Sequence, residues 1–231
     1  MAGEDVGKAG QRLYERLGIV FQDPNDQLFA PTVAEDVAFG PRNLGLPPRE
    51  VAQRVAESVR VVGLSGLEKR SIHALSFGQK RRTALAGVLA MKPQVILLDE
   101  PTGGLDPWGV ESIVELLRRL NGEHQVTIVV ATHDVDLVPY FAGRACVLCR
   151  GEVTAVGRVG DVLAQERELA NSGLRLPYLA QMAALVARRY GWPLERPPLT
   201  MESACDWVCQ HIQGRQTEAI VASLEQKEGQ R

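Results

Sequence analysis

Apolar residues fall along this chain in two rhythms. Between Leu17 and Ala155, apolar runs of strand length alternate with longer segments whose apolar positions recur at helix-face spacing. The runs predict strands over Leu17 to Phe21, Gln94 to Asp99, Val126 to Ala131, Ala145 to Cys149 and Glu152 to Val156, with Arg150-Gly151 as a tight hairpin turn between the last two. Capping residues mark the helices. Thr32 to Glu35 fits a capping box, Pro48 stands early in a segment reaching Val62, and Gly63 suits its left-handed stop. Ser76 precedes a helical stretch from Gly78 to Lys92, ended by Pro93, and Asp106 precedes another from Trp108 to Leu120, with Gly122 after it. Strand and helix alternating in this way predict an α/β fold with a largely parallel sheet. Past about Gly160 the strands cease, and helical segments broken by Pro177, Pro193, Pro197 and Pro198 predict a helical C-terminal extension.

Composition narrows the picture by exclusion. The chain has 231 residues, enough for one sizeable core and an appendage. Its formal net charge of −2 leaves no basic excess for neutralising phosphates, and Lys80-Arg81-Arg82 is too short a run to change that, so nucleic acid is not an expected partner. The longest apolar stretches, Val95 to Leu98 and Val126 to Ala131, fall far short of the roughly 20 residues that span a bilayer. The first residues, MAGEDVGKAGQRLYERLG, hold no apolar core of the signal-peptide kind, which points to a reducing, cytoplasmic setting. Cys146-x-x-Cys149 and Cys205-x-x-x-Cys209 have the spacing of two zinc half-sites. The first pair lies in a β-like run that sends residues three apart to opposite faces, so the cysteines read as buried structural residues.

The candidate chemistry starts at Val95-Ile96-Leu97-Leu98-Asp99-Glu100-Pro101-Thr102, a buried strand delivering two acids to its carboxyl end, where parallel sheets bind ligands. Asp99 can hold Mg²⁺, and Glu100, aimed elsewhere, can polarise an attacking water. A strand followed by an ordinary acidic turn has the same composition. Leu75-Ser76-Phe77-Gly78-Gln79-Lys80-Arg81-Arg82 sets a serine and a glycine at a helix N-terminus, where unsatisfied N–H groups and the helix dipole attract an anion. Ser76 would equally serve as a plain N-cap. Gln22 follows the first strand, Gly104-Leu105-Asp106 follows Glu100 closely, and His133 comes just after the Val126 to Ala131 strand. Taken singly, the glutamine reads as a solvent-exposed residue and the histidine as a structural one.

Taken in order, Gln22, LSFGQ, LLDEPT, GLD and His133 resemble the ATP-binding cassette (ABC) ATPases over residues 16 to 158. The resemblance implies an α/β nucleoside-triphosphatase domain over 1–160, with a helical subdomain about 32–92, followed by a helical extension over 161–231. It implies ATP and Mg²⁺ as cofactors, with Asp99 and Gln22 at the metal. Glu100 would be the catalytic acid, Asp106 the D-loop aspartate and His133 the switch histidine. Ser76, Phe77, Gly78 and Gln79 would form a signature offered to ATP on a second cassette. Phe21 to Phe29, LSFGQKRR and AGVLAMKP are similar to the cobalt and nickel branch of the energy-coupling-factor transporters, and Asn171 to Pro177 to the start of that branch's C-terminal region. The expected role is an ATP-hydrolysing subunit on the cytoplasmic face of the membrane. Its partners would be a second ATPase subunit, identical or different, and integral membrane subunits importing a metal or related micronutrient. A ribosome- or DNA-acting relative would carry coiled-coil or basic insertions, and none is seen.

One part of the pattern is missing. No stretch of the form G-x-x-x-x-G-K-[ST] occurs among the 231 residues; Gly3-Glu4-Asp5-Val6-Gly7-Lys8-Ala9 is one residue short and lacks the hydroxyl. The expectation is an N-terminally truncated reading frame lacking the first strands and the phosphate loop. The alternative is a catalytically incomplete partner that lends only its signature half-site.

Overall fold

The computed structural model describes residues 16–212. The chain divides into two compact units, Met1–Thr132 and His133–Arg231. In the first, strands β1 (Leu17–Val20), β2 (Val95–Asp99) and β3 (Thr127–Ala131) form a parallel sheet in that order. Leu17 is in register with Val95, and Val95 with Thr127. Between β1 and β2 run three helices, α1 (Val33–Asn43), α2 (Pro48–Val61) and α3 (Phe77–Leu89); α4 (Pro107–Gly122) joins β2 to β3. Each predicted element is present, its ends displaced by at most three residues, as capping and fraying dictate.

The core of this unit explains the strand assignments. Ile96 and Leu98 of β2 meet Val33 and Val37 of α1, Leu85 of α3 and Leu117 of α4 in one buried cluster. Helix α3 lies close over β1. A Cβ built on Gly18 would stand 2.1 Å from Val88 Cγ1, so only a glycine admits the helix at that distance. At the start of α1 the capping box is half formed: Thr32 Oγ1 accepts from the Glu35 N–H at 3.3 Å, while the Glu35 carboxylate takes the Thr32 hydroxyl at 2.7 Å. Helix α3 stops at Leu89, short of Lys92, because Ala90 ends it and Lys92 (φ 56°) turns left-handed before Pro93.

The second unit holds α5 (Val138–Phe141), the antiparallel pair β4 (Arg144–Cys149) and β5 (Glu152–Arg158), then α6 (Val159–Val162), α7 (Glu166–Asn171) and α8 (Tyr178–Tyr190). Residues 201–212 are again helical. Arg150 (φ 52°) and Gly151 (φ 84°) give the hairpin turn the two left-handed residues it requires. Val135, Val147, Val162 and Leu169 share a separate core, with Leu174, Leu176 and Leu199 packed against it. The hairpin therefore buries its inner face on the helices that follow it. That is why the contacts divide at residue 133, whereas the sequence places its boundary at 160. Gly3 to Ala9 and the extension beyond residue 212 lie outside the described residues.

The cysteines differ from expectation. Cys146, Cys205 and Cys209 are exposed and Cys149 is half-buried. Along β4, Ala145, Val147 and Cys149 take the inner side of the pleat and Cys146 the outer, and the bulge in the hairpin falls on β5, so this alternation is unbroken. Among the described residues no group of three or more His, Cys, Asp or Glu is placed to hold a metal ion. Among them, too, no helix is long and apolar enough to cross a membrane.

Candidate functional site

The two acids part company because the backbone turns between them. Asp99 ends β2 in register with Ala131 and is exposed. Glu100 donates its N–H to the Ala131 carbonyl at 2.9 Å and then takes a left-handed conformation, φ 43°. A β-carbon disfavours that conformation, so the surrounding contacts must hold it. They do: the Glu100 carbonyl accepts from Gly103 N at 3.1 Å and its carboxylate accepts the Thr132 hydroxyl at 3.0 Å.

A further residue, missed in reading the sequence, braces this turn. Arg81 is 2% exposed. Its Nη1 donates to the Glu100 carbonyl and its Nη2 to the Gln22 carbonyl, each at 2.7 Å. The guanidinium also lies 5.0 Å from the centre of the Phe77 ring. Burial pushes its pKa down, while the charges of Asp23 and Glu100 push it back up. The signal that marks it is periodicity. Arg81 shares the buried stripe of α3 with Ala84, Leu85 and Val88, at i, i+3, i+4 and i+7. A charge on an apolar stripe needs partners, and backbone carbonyls supply them.

The same helix begins at the anion-binding candidate. Ser76 caps α3 with both halves of a capping box: its Oγ accepts from the Gln79 N–H at 3.3 Å, and its own N–H donates to Gln79 Oε1 at 3.0 Å. The cap reading of Ser76 is thus correct, and it is compatible with the other one. The serine hydroxyl proton remains to be donated, and the first-turn N–H groups point out of the helix end. A cleft of about 460 Å³ opens here, lined by Ser76, Gly78, Gln79, Asp106 and Trp108. Asp106 caps α4, its Oδ1 accepting the Gly109 N–H at 2.7 Å. A Cβ on Gly104 (φ 73°) would touch the Phe77 ring at 3.2 Å, so this glycine lets the turn after the acids close onto that ring.

Gln22 follows β1 with its side chain exposed and its carbonyl held by Arg81. Together with Asp99 at the end of the neighbouring strand, it offers exposed oxygen donors of the kind a hard cation such as Mg²⁺ takes. Beyond it Asp23 Oδ1 accepts the Asn25 N–H at 2.8 Å, and Gln27 Oε1 accepts the Phe21 N–H at 3.1 Å. A cavity of about 670 Å³ opens beside this turn, lined by Ile19, Gln27, Phe29, Phe39 and Met91. Phe29 is 65% exposed, its ring edge-on to that of Phe39 at 4.6 Å. The first unit thus brings together Gln22, Arg81, Asp99 and Glu100, and sets Ser76 to Gln79 with Asp106 in one cleft. His133 belongs to the second unit, where its carbonyl accepts the Val135 N–H at 3.1 Å.

Comparison with known proteins converges on one family. The ABC transporter family model matches residues 1–103. An ABC transporter ATP-binding protein of Methanothermobacter marburgensis is 46% identical over 202 residues, which cover 87% of this chain and 72% of that protein. An energy-coupling factor transporter ATP-binding protein of Methanocaldococcus jannaschii is 48% identical over 179 residues, 78% of this chain and 64% of that one. Among solved structures, cbiO1 from Clostridium perfringens, part of the ABC transporter complex cbiONQ, aligns with a TM-score of 0.64 at 43% identity, covering 76% of this chain and 68% of that chain.

Proposed function

We propose, from the premise that this chain belongs to the ABC transporter family of ATP-hydrolysing subunits, that it powers an energy-coupling-factor transporter importing cobalt, nickel or a related micronutrient. The likeness to the Methanocaldococcus and Clostridium proteins supports the branch. Where a phosphate loop of the G-x-x-x-x-G-K-[ST] kind, which these 231 residues do not contain, holds the nucleotide, Asp99 and Gln22 would hold the Mg²⁺ that accompanies ATP, and the ion would neutralise charge on the phosphates. Glu100, turned away from Asp99 by its left-handed backbone, orients and deprotonates the attacking water. Ser76, with the first-turn N–H groups of α3, meets the phosphates of ATP held by a second cassette, and Asp106 lines the same cleft. His133 contacts the terminal phosphate from the second unit.

The subunit works as a dimer with an identical or similar cassette, peripheral on the cytoplasmic face of the membrane. A helix of the membrane partner seats in the cavity bordered by Phe29 and Phe39, next to Gln22. Cargo choice belongs to the membrane proteins: among the described residues no group of three or more His, Cys, Asp or Glu is placed to hold the metal.

The observation that carries this reading is the Arg81 bridge. One buried guanidinium ties the helix whose N-terminus is the signature to the carbonyls of both Gln22 and Glu100. Docking of phosphate at Ser76 is thereby linked mechanically to the metal-binding and water-activating residues. The test is ATP hydrolysis by the chain assembled with its second ATPase subunit and membrane partners. A Cβ on Gly78 meets only Leu105 Cδ2, at an ordinary 3.5 Å, so Gly78→Asp leaves the helix intact while placing a carboxylate at the anion site. It should lower turnover about 10²-fold or more, as removal of a positioned phosphate donor does. Glu100→Gln should do the same. Wild-type turnover in the Gly78→Asp complex would refute the assignment.

A further inference from the structure

The role of the helical extension is addressed by a cluster that the catalytic reading leaves unused. Asp136 stands three residues beyond His133 in the same turn, where Val135 N–H bonds to the His133 carbonyl (3.1 Å), Leu137 N–H to the Asp134 carbonyl (3.2 Å) and Asp136 N–H to Asp134 Oδ1 (3.2 Å). Val135, 5% exposed, anchors one side of this turn in the core of the second unit, against which Leu174 and Leu176 pack. The Asp136 carboxylate anchors the other side. Its Oδ1 accepts the N–H of Tyr178, the first residue of α8, at 2.7 Å, and its Oδ2 accepts from Arg175 Nη2. The Arg175 guanidinium lies over the Tyr178 ring, 3.6 Å from its centre, and donates through Nη1 to the Leu176 carbonyl at 3.1 Å.

Stability alone is a poor reason for such an arrangement. The two side chains are 42% and 28% exposed, and ion pairs this open to solvent add little to folding. What the cluster does is fix geometry. An aspartate that accepts a backbone N–H at a helix start and a guanidinium at once has one orientation left, and the stacked tyrosine holds the guanidinium in its plane. The hydrogen bond to Asp136 raises the Arg175 pKa, burial opposes it, and Asp136, Tyr178 and Asp134 are the titratable groups that face the guanidinium.

We propose that Arg175 is a positioning residue for His133: the clamp of Asp136, Arg175 and Tyr178 fixes the turn that carries the switch histidine, and so makes the helical extension a determinant of ATP hydrolysis. This rests on the reading of His133 as a phosphate contact. It assigns the segment Asn171 to Pro177 a purpose, which is to reach back from the extension and set the histidine.

Hydrogen exchange and kinetics on the assembled transporter test it together. Arg175→Ala should speed exchange of the amides of residues 135–137 about tenfold, and lower kcat about tenfold with KM for ATP within twofold of wild type. In a His133→Ala background, Arg175→Ala should cause no further loss of kcat, since a positioning residue has nothing left to position. Arg175→Lys, which cannot bond and stack at once, should recover less than half of the rate. Should Arg175→Ala fold poorly, the isosteric Asp136→Asn is read in the same way. Unchanged exchange in residues 135–137, or losses that add in the double variant, would overturn the clamp. Turnover that survives His133→Ala would overturn the histidine's role and with it the proposal. The Gly78→Asp control separates these outcomes from failure of the functional reading itself.

Discussion

Arg81 shows how much one side chain can hold. It is a charged group with 2% exposure, and both of its 2.7 Å bonds go to backbone carbonyls rather than to carboxylates. Those carbonyls belong to residues on either side of the candidate site, and that of Glu100 also accepts the Gly103 N–H at 3.1 Å. Arg81→Met keeps most of the buried volume and removes the donors. It should cost about 3 kcal/mol in urea unfolding, the scale of two charge-assisted bonds lost together. Arg81→Lys should recover only part, because a single ammonium on a shorter reach cannot span both carbonyls as the planar fork does. Equal stability of Arg81→Met and wild type would show that the two loops hold their places unaided.

At the scale of elements, the close contact of β1 with α3 decides where the Ser76 end of that helix lies. Gly18 is the point of contact, with room for a hydrogen and none for a methyl, given Val88 Cγ1 at 2.1 Å from an added Cβ. Gly18→Ala should therefore destabilise by about 1–3 kcal/mol, as overpacking of a tight core does. Val88→Ala placed in that background should return part of the loss, whereas on its own it would destabilise. Simple addition of the two effects would mean that the contact is looser than these distances. The elements themselves were legible in the sequence. Each of the five strands overlaps the run that predicts it, and Ser76, Asp106 and Gly63 stand at helix ends, where their side chains or left-handed backbone are required. What the one-dimensional pattern missed at this scale was the capping detail of Thr32, where the glutamate bonds a hydroxyl instead of a backbone N–H. Both geometries have the same sequence.

At the scale of the whole molecule, the contacts separate two cores, and His133 goes with the second. Through the proposed role of His133, a change in the core of the second unit should then act on hydrolysis. Leu169, fully buried among Val135, Val147 and Val162, is such a position. Leu169→Ala should cost about 2–5 kcal/mol in that unit, as a leucine-sized cavity does. The loss should appear as faster hydrogen exchange through Tyr178–Tyr190, with lower turnover although Asp99 and Glu100 are untouched. Full activity at wild-type exchange rates would deny the second unit its part.

The sequence by itself determined the order of strands and helices, the caps, the hairpin and the spaced set from Gln22 to His133. These depend on neighbours within a few residues, where hydrophobic period, turn conformation and capping are local properties of the chain. Only the tertiary structure decided that Arg81 joins Gln22 to Glu100, that three of the four cysteines are exposed, that the hairpin packs with the helices after it, and that Arg175 reaches Asp136 across 39 positions. Each of these is a contact between residues distant along the chain, fixed by which faces the packing brings together, and no local pattern carries that information.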